Sequence, residues 1–402
     1  PKSIETEASI WRAAIASIEL KDDFNVVMRM KSPQFEVLKS QHDAMAAIVP
    51  KKYIEEKGDD YFASHPIGSG PWKVLEYQPG IRLELEAVED HWRARPRFQR
   101  LTVLNVPELS TKIAMLKTGE VDLAGVSPDS IPNLEASGLR ILSYWSGGGY
   151  YGYPLYDVEN PQKYAFGDVR VRKAMQLAVN SKELADKLFR GRASPVTMAT
   201  NYVEVDAKAN AFDPNLLKPD PYDAEGAKKL LAEAGYPDGF NTRIYDVGAG
   251  DMRSTLSLAL GGYWRKIGVN AEIVPIEYGA FFPKMQSRSP ETWNSYYVWV
   301  TSGAKTWQRM FTYFHSTKSN PKNNKNPKLD SLLDSIAGTR DPVERERLQL
   351  EAAVLSKNDY SLTSVLGTHN ILALGKKLGD VGQKPYVYEI SGIMFETITH
   401  AK

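Results

Sequence analysis

The most constraining feature is a change of hydrophobic period within a few residues. Apolar positions spaced as on a helix run over residues 254–266, break at Gly268, and give way at once to an alternating strand over 269–276. A chain that sets helix against strand in this way folds as mixed α/β, since the helix buries its stripe on the sheet that the strand joins. Other helix starts carry their own caps. Ser110 precedes Ile113 and Leu116, with Gly119 free to close the helix in the left-handed region, and Asp168 precedes Val171, Ala174 and Met175. Ser181 precedes Leu184 and Leu188, Asp223 precedes Ala227 and Leu231, and Asp341 stands before Pro342 and three residues before Glu344. Strands are expected at 72–77 and 82–87, joined through Gln78-Pro79-Gly80-Ile81 as a hairpin, then at 101–106. Near the start, an amphipathic stretch through Ile10, Ala13, Ala14 and Ile18 leads to a strand at 25–30.

At 402 residues the chain is long enough for two or three domains. The turn cluster Pro66-Ile67-Gly68-Ser69-Gly70-Pro71 separates two regions. Cysteine is absent, which excludes disulfides, zinc ribbons, iron–sulfur clusters and thiol nucleophiles together. Fifty Lys and Arg against 49 Asp and Glu leave no global field to draw the protein onto nucleic acid or an anionic membrane. No apolar run approaches the roughly 18 residues of a membrane helix. The biased segment 319–328, rich in Asn, Pro and Lys, contains no aromatic residue for base stacking and reads as a hydrated loop.

The sequence offers little for catalysis. No two of the six histidines have the i, i+4 spacing that puts two imidazoles on one helical face, so no metal is expected, and no cofactor. Gly147-Gly148-Gly149-Tyr150-Tyr151-Gly152 satisfies Gly-x-Gly-x-x-Gly, yet Tyr153-Pro154-Leu155-Tyr156 continues as strand or loop where a dinucleotide site requires a helix. Glu84 and Glu86 share one face of a strand, where solvent exposure is the simplest role. Aromatic residues are more informative: Tyr144, Trp145, Tyr150, Tyr151, Tyr153 and Tyr156 form one group, and Trp293, Tyr296, Tyr297, Trp299, Trp307, Phe311, Tyr313 and Phe314 another. Rings with polar tips suit either a core or a cleft for a small amphipathic ligand.

The order of motifs resembles that of the bacterial extracytoplasmic solute-binding proteins of the peptide, nickel and opine type, family 5. The resemblance rests on His65-Pro66-Ile67-Gly68-Ser69-Gly70-Pro71-Trp72, Pro79-Gly80, Asp90-His91-Trp92 and Leu116-Lys117-Thr118-Gly119-Glu120-Val121-Asp122. It continues in Phe166-Gly167-Asp168-Val169-Arg170-Val171-Arg172-Lys173-Ala174, Ala234-Gly235-Tyr236-Pro237-Asp238-Gly239-Phe240 and Trp264-Arg265-Lys266-Ile267-Gly268-Val269. It implies a two-lobed periplasmic-binding-protein-like fold of type II (cluster C) that closes on its ligand by a hinge, with no chemical step. The partners it implies are a small-molecule ligand and a membrane ABC permease, with no nucleic acid, for a monomer that is periplasmic or extracellular, with or without a lipid anchor. On that basis residues 1–65 are the remainder of a small accessory domain and large lobe, 66–160 the large lobe, 161–378 the second lobe, and 379–402 a return to the large lobe. The family's opening segment is not found before Pro66, so a truncated N-terminus, without its signal sequence, is expected.

Peptide-binding members place an aspartate two or three residues beyond a tryptophan, whereas Trp299 is followed by Val300-Thr301-Ser302-Gly303. Without that carboxylate a free ammonium loses a charge-assisted partner worth about 1.5 to 3 kcal/mol, which favours a sugar, glycoside or opine over a short peptide. By position in the resemblance, Trp299 is expected to stack on the ligand, Thr301 and Ser302 to bond to it, and Tyr151 and Tyr153 to line the opposite side. Asp246, Asp251 and Arg253, in the loop before a helix, are expected to supply polar contacts. Two rivals remain at this point: a carboxylate-dependent glycoside-processing enzyme with two carboxyls roughly 5 to 10 Å apart, and a sensor or chaperone built on the same fold.

Overall fold

The structure is a computed structural model that describes residues 15–31, 49–197, 214–248, 252–301, 310, 314–317, 325–381 and 395–401. The fold is mixed α/β. The chain divides into two units, Pro1–Ser40 with Gly147–Thr368, and Gln41–Ser146 with His369–Lys402. Strands are numbered in chain order, as are helices of nine or more residues.

In the first unit, β1 (Ile15–Leu20) and β2 (Val26–Met30) pair as an antiparallel hairpin, so Ile18 lies on a strand opposite Met28. Ile10, Ala13 and Ala14 fall outside the described residues. In the second unit, β3 (Trp72–Gln78), β4 (Arg82–Ala87) and β5 (Arg100–Leu104) form the expected antiparallel meander. Glu84 and Glu86 are answered on that sheet by Arg82 at 3.1 Å and Lys73 at 3.4 Å, so they serve its surface. The turn at 66–71 is tied down by its own neighbours, because the His91 Nε2 atom lies 2.8 Å from the Ser69 carbonyl and the Trp92 indole donates to it at 3.3 Å. Helix α1 (Leu109–Thr118) follows. It begins one residue before Ser110, after Glu108 with no side-chain cap bond, and ends as expected on Gly119 at φ 74°. Strand β6 (Leu123–Gly125) then pairs antiparallel with the far end of β12 (Thr363–Leu374).

Strands β7 (Arg140–Leu155) and β12 each carry the chain from one unit to the other. The larger sheet runs β10-β9-β11-β7-β12-β6, with the short β8 (Ala193–Ser194) on β12. Within it β9 (Asn241–Asp246), β10 (Asn270–Pro275) and β11 (Ser295–Thr301) are parallel, and β11 meets β7 antiparallel. The Gly-rich motif lies inside β7. A side chain at Gly149 would meet the Leu366 carbonyl at 2.3 Å, and one at Gly152 would meet the Tyr296 hydroxyl at 1.4 Å. Both glycines therefore exist for close packing of strands and rings, and no helix follows to receive a phosphate.

Alternation along the parallel strands feeds two cores, one on each face. Ile244, Tyr296 and Val298 join α2 (Val169–Leu177), α3 (Ser181–Phe189), α4 (Ala224–Glu233) and α5 (Met252–Arg265) on one side. Tyr245, Tyr297, Tyr151 and Tyr153 join α6 (Tyr278–Gln286), α7 (Pro327–Gly338) and α8 (Pro342–Asp359) on the other. Most caps stand where the sequence places them: Asp168, Asp223 and Asp341 accept the backbone N–H groups of Arg170, Gly226 and Glu344. The cap of α3 is Asn180 rather than Ser181, its side chain taking the Glu183 N–H at 2.9 Å. Helix α7 starts at Pro327 behind an Asn326 cap, so the last two residues of the expected loop 319–328 are helical. Arg172 is buried and bonds to the carbonyls of Phe166, Gly167 and Asp359, tying the start of α2 to the end of α8. The Trp264 indole donates to the Met175 carbonyl at 3.1 Å, joining α5 to α2.

Candidate functional site

The parallel strands fix where a site is built. Strand β9 leads through α5 to its neighbour β10, and β10 leads through α6 back past β9 to β11. Helix α5 packs in one core and α6 in the other, so the two connections leave for opposite faces. Adjacent strands whose connections diverge open a crevice outside their carboxyl ends, the place where open α/β sheets take ligands. Three segments reach that edge: the β9–α5 turn, the β10–α6 turn and the last residues of β11.

Each contributes a side chain to one cluster. Trp299, near the end of β11, is half-buried, and the Tyr278 ring, from the first turn of α6, stacks on it at 4.6 Å between centroids and 19° between planes. Phe282, one turn further on, lies beside Tyr278 at 5.1 Å with its ring tilted by 36°. Arg253, in the first turn of α5, sets its guanidinium carbon 4.7 Å from the Trp299 ring centroid. A cation and an aromatic ring thus already engage the indole, in a geometry worth about 0.5–2 kcal/mol as burial increases.

The sequence-derived residues separate on this structure. Trp299, Arg253 and Asp246 come together at the carboxyl edge. The Asp246 carboxylate faces its own loop: Oδ1 accepts from the Ser254 hydroxyl at 2.8 Å and from the Gly248 N–H at 3.0 Å. Thr301 closes β11 opposite Gly149 of β7, while Ser302 and Asp251 lie outside the described residues, as do Trp307, Phe311 and Tyr313. Tyr151 and Tyr153 are 0% and 1% exposed in the core of α6, α7 and α8, and Tyr153 stacks on Tyr297 at 4.7 Å. Sequence reasoning missed Tyr278. The signal was its place directly after a strand of the parallel set, and parallel order is set by long-range pairing that local periodicity does not encode.

A second concavity in the same unit is lined by Gln176, Thr197, Asp220, Lys357, Tyr360 and Ser364. Its polar groups answer one another. Gln176 donates to the Ser364 carbonyl at 3.0 Å and accepts its N–H at 2.7 Å, and Thr197 donates to the Leu217 carbonyl. It is a fastened seam between helix and strand.

Comparison with known proteins agrees with the topology. Residues 1–325 match the profile of bacterial extracellular solute-binding proteins, family 5 Middle. The chain belongs to that family. Its relatives include heme-binding protein A of Haemophilus influenzae, 23% identical over 93% of this chain and 69% of that protein. The glutathione-binding protein GsiB of Salmonella typhimurium is 26% identical over 84% of this chain and 66% of its own length. Among solved structures, HbpA2 from Haemophilus parasuis superposes with a TM-score of 0.77 at 23% identity, covering 97% of this chain and 78% of that one. The chain spans about two thirds of the length of these curated relatives. Family 5 proteins are periplasmic or extracellular binding proteins that hand small ligands to ABC permeases, and they are not enzymes. Among the described residues no helix is long and apolar enough to cross a membrane.

Proposed function

We propose that this chain is the solute-capturing component of an ABC importer and holds a small polar or amphipathic solute against the wall formed by Trp299, Tyr278 and Arg253. The observation that carries the reading is the convergence of Trp299 from the end of β11 with Arg253 and Tyr278 from the first turns of α5 and α6, half-buried at the rim of a core. Aromatic surface supplies contact area and the adjoining polar groups supply orientation, which is how binding sites divide the work. A short peptide, an opine, a sugar or a glycoside has this mixed character. The protein acts as a monomer and changes no bond in its cargo. Native mass spectrometry of the purified protein, followed by calorimetry with the retained molecule, tests the reading. Expected is one small molecule per chain and loss of its binding in Trp299→Ala; unchanged affinity in that variant removes Trp299 from the site.

A further inference from the structure

We infer that Asp246 is a positioning residue for this wall: its side chain holds the first turn of α5 so that Arg253 lies over Trp299, and it acts on the solute only through that contact. The inference rests on the binding reading above and adds to it the residue that sets the geometry of the wall. Asp246 is the last residue of β9, in register with Pro275 at the end of β10. Its carboxylate Oδ1 accepts the Gly248 N–H at 3.0 Å and the Ser254 hydroxyl at 2.8 Å, and its backbone carbonyl accepts the Ile276 N–H at 3.0 Å. One residue thus fastens both turns from which the wall is built. The side chain closes the β9–α5 turn, and the backbone ties the β10–α6 turn two residues before Tyr278.

The side-chain arm is the one that bears on Arg253. Ser254 is the chain neighbour of Arg253 and is buried, so its hydroxyl needs an acceptor in the fold, and Asp246 supplies one. With Ser254 pinned to the end of β9, the first turn of α5 has one place on the sheet, and from there the Arg253 guanidinium carbon comes to 4.7 Å from the Trp299 ring centroid. An arginine side chain has many rotamers to lose, and a fixed backbone lets the ring select one of them. The Tyr278 contact does not depend on the Asp246 carboxylate. Its turn is held by the Asp246 backbone and by Glu277, whose side chain accepts the Ala280 N–H at 2.9 Å. Substitution at Asp246 therefore separates the two neighbours of Trp299. An amide keeps an oxygen that can accept both bonds, whereas a methyl group keeps neither.

The test is fluorine NMR of the full chain carrying 5-fluorotryptophan at its eight tryptophans, with the Trp299 line identified by its loss in Trp299→Phe. Arg253→Leu gives the reference, the position of that line without its cation. Expected is that Asp246→Ala moves the Trp299 line toward the reference, that Asp246→Asn leaves it at the wild-type position, and that Ser254→Ala moves it part of the way. The remaining lines should hold. Asp246→Ala added to Arg253→Leu should move the line no further, because a residue that acts through Arg253 then has nothing left to act on, whereas a general loosening of the fold would add its own shift. If Asp246→Ala does not fold, Ser254→Ala with Arg253→Leu completes the same cycle. A Trp299 line unmoved in Asp246→Ala, moved equally by Asn and Ala, or moved further in the double variant overturns the inference. The readout needs no solute, so it fails separately from the binding reading: a purified wild type that retains no molecule in native mass spectrometry counts against that reading and leaves the cycle intact.

Discussion

Trp299 and Tyr297 stand two residues apart on one strand, opposite Tyr151 and Tyr153 on the next, and all four are aromatic. Yet Tyr297, Tyr151 and Tyr153 are sealed in the core, while Trp299 is half-buried and engaged by residues from two turns. Along β11 the difference is position, whereas Tyr151, paired with Trp299 at the same level on the next strand, stays buried. In mid-sheet a ring is covered by helices α6, α7 and α8. Two residues further along β11, Trp299 is met by the first turns of α5 and α6 and stays half-buried at the rim of that core. Residue type selects candidates for a binding wall, and topology decides which of them serve.

That contrast can be broken by mutation, since interior residues should change stability and edge residues should change affinity. The largest expected effect is on Tyr153→Ala, which empties a fully buried site and should cost about 3–5 kcal/mol in urea unfolding. A loss under about 1 kcal/mol would place Tyr153 outside the core. Gly152→Ala comes next. Its new methyl group falls on the Tyr296 hydroxyl, and displacing that ring from Thr363 should cost about 1–3 kcal/mol. A thermal midpoint equal to that of the wild type would show that the strand yields without cost.

Asp168 sharpens the comparison from the scaffold side. Hydrogen bonds from the Arg170 side chain, opposed in part by burial, hold its carboxyl below the usual value of 3.8. A carboxyl lowered in the folded state adds stability that is present above its unfolded value and is lost as pH falls through the folded value. Asp168→Asn should therefore be less stable by about 1 kcal/mol near neutral pH, with the gap closing as the pH falls through the folded value. Thermal melts at both pH values check the sign, and a gap that persists in acid would mean the bonds do not depend on charge. Solute affinity should be unaffected.

Much of the scaffold was legible because it is local. The β3–β4 hairpin is written in alternation around Pro79-Gly80, and the caps Asp168, Asp223 and Asp341 each bond to an N–H two or three residues on. Local reading also erred locally, taking Ser181 for the cap that Asn180 makes, because either side chain can accept the same kind of bond. The site was legible only in part. Trp299 and Arg253 were reached through the family resemblance, whereas their contact depends on β9 pairing with β11 across some fifty residues of chain. Tyr278 joins them through that same pairing. Asp246 was read as a ligand contact from the position of its loop in the resemblance, while its engagement with Ser254 is visible only in the fold.

The most direct measurement is calorimetric titration of the retained solute into wild type and Trp299→Ala, with thermal melts of both. The account predicts that affinity falls at least about 30-fold, near 2 kcal/mol, while the melting temperature moves by only a few degrees. Equal affinity in the two proteins, or a collapse of stability equal to that expected for Tyr153→Ala, would contradict it.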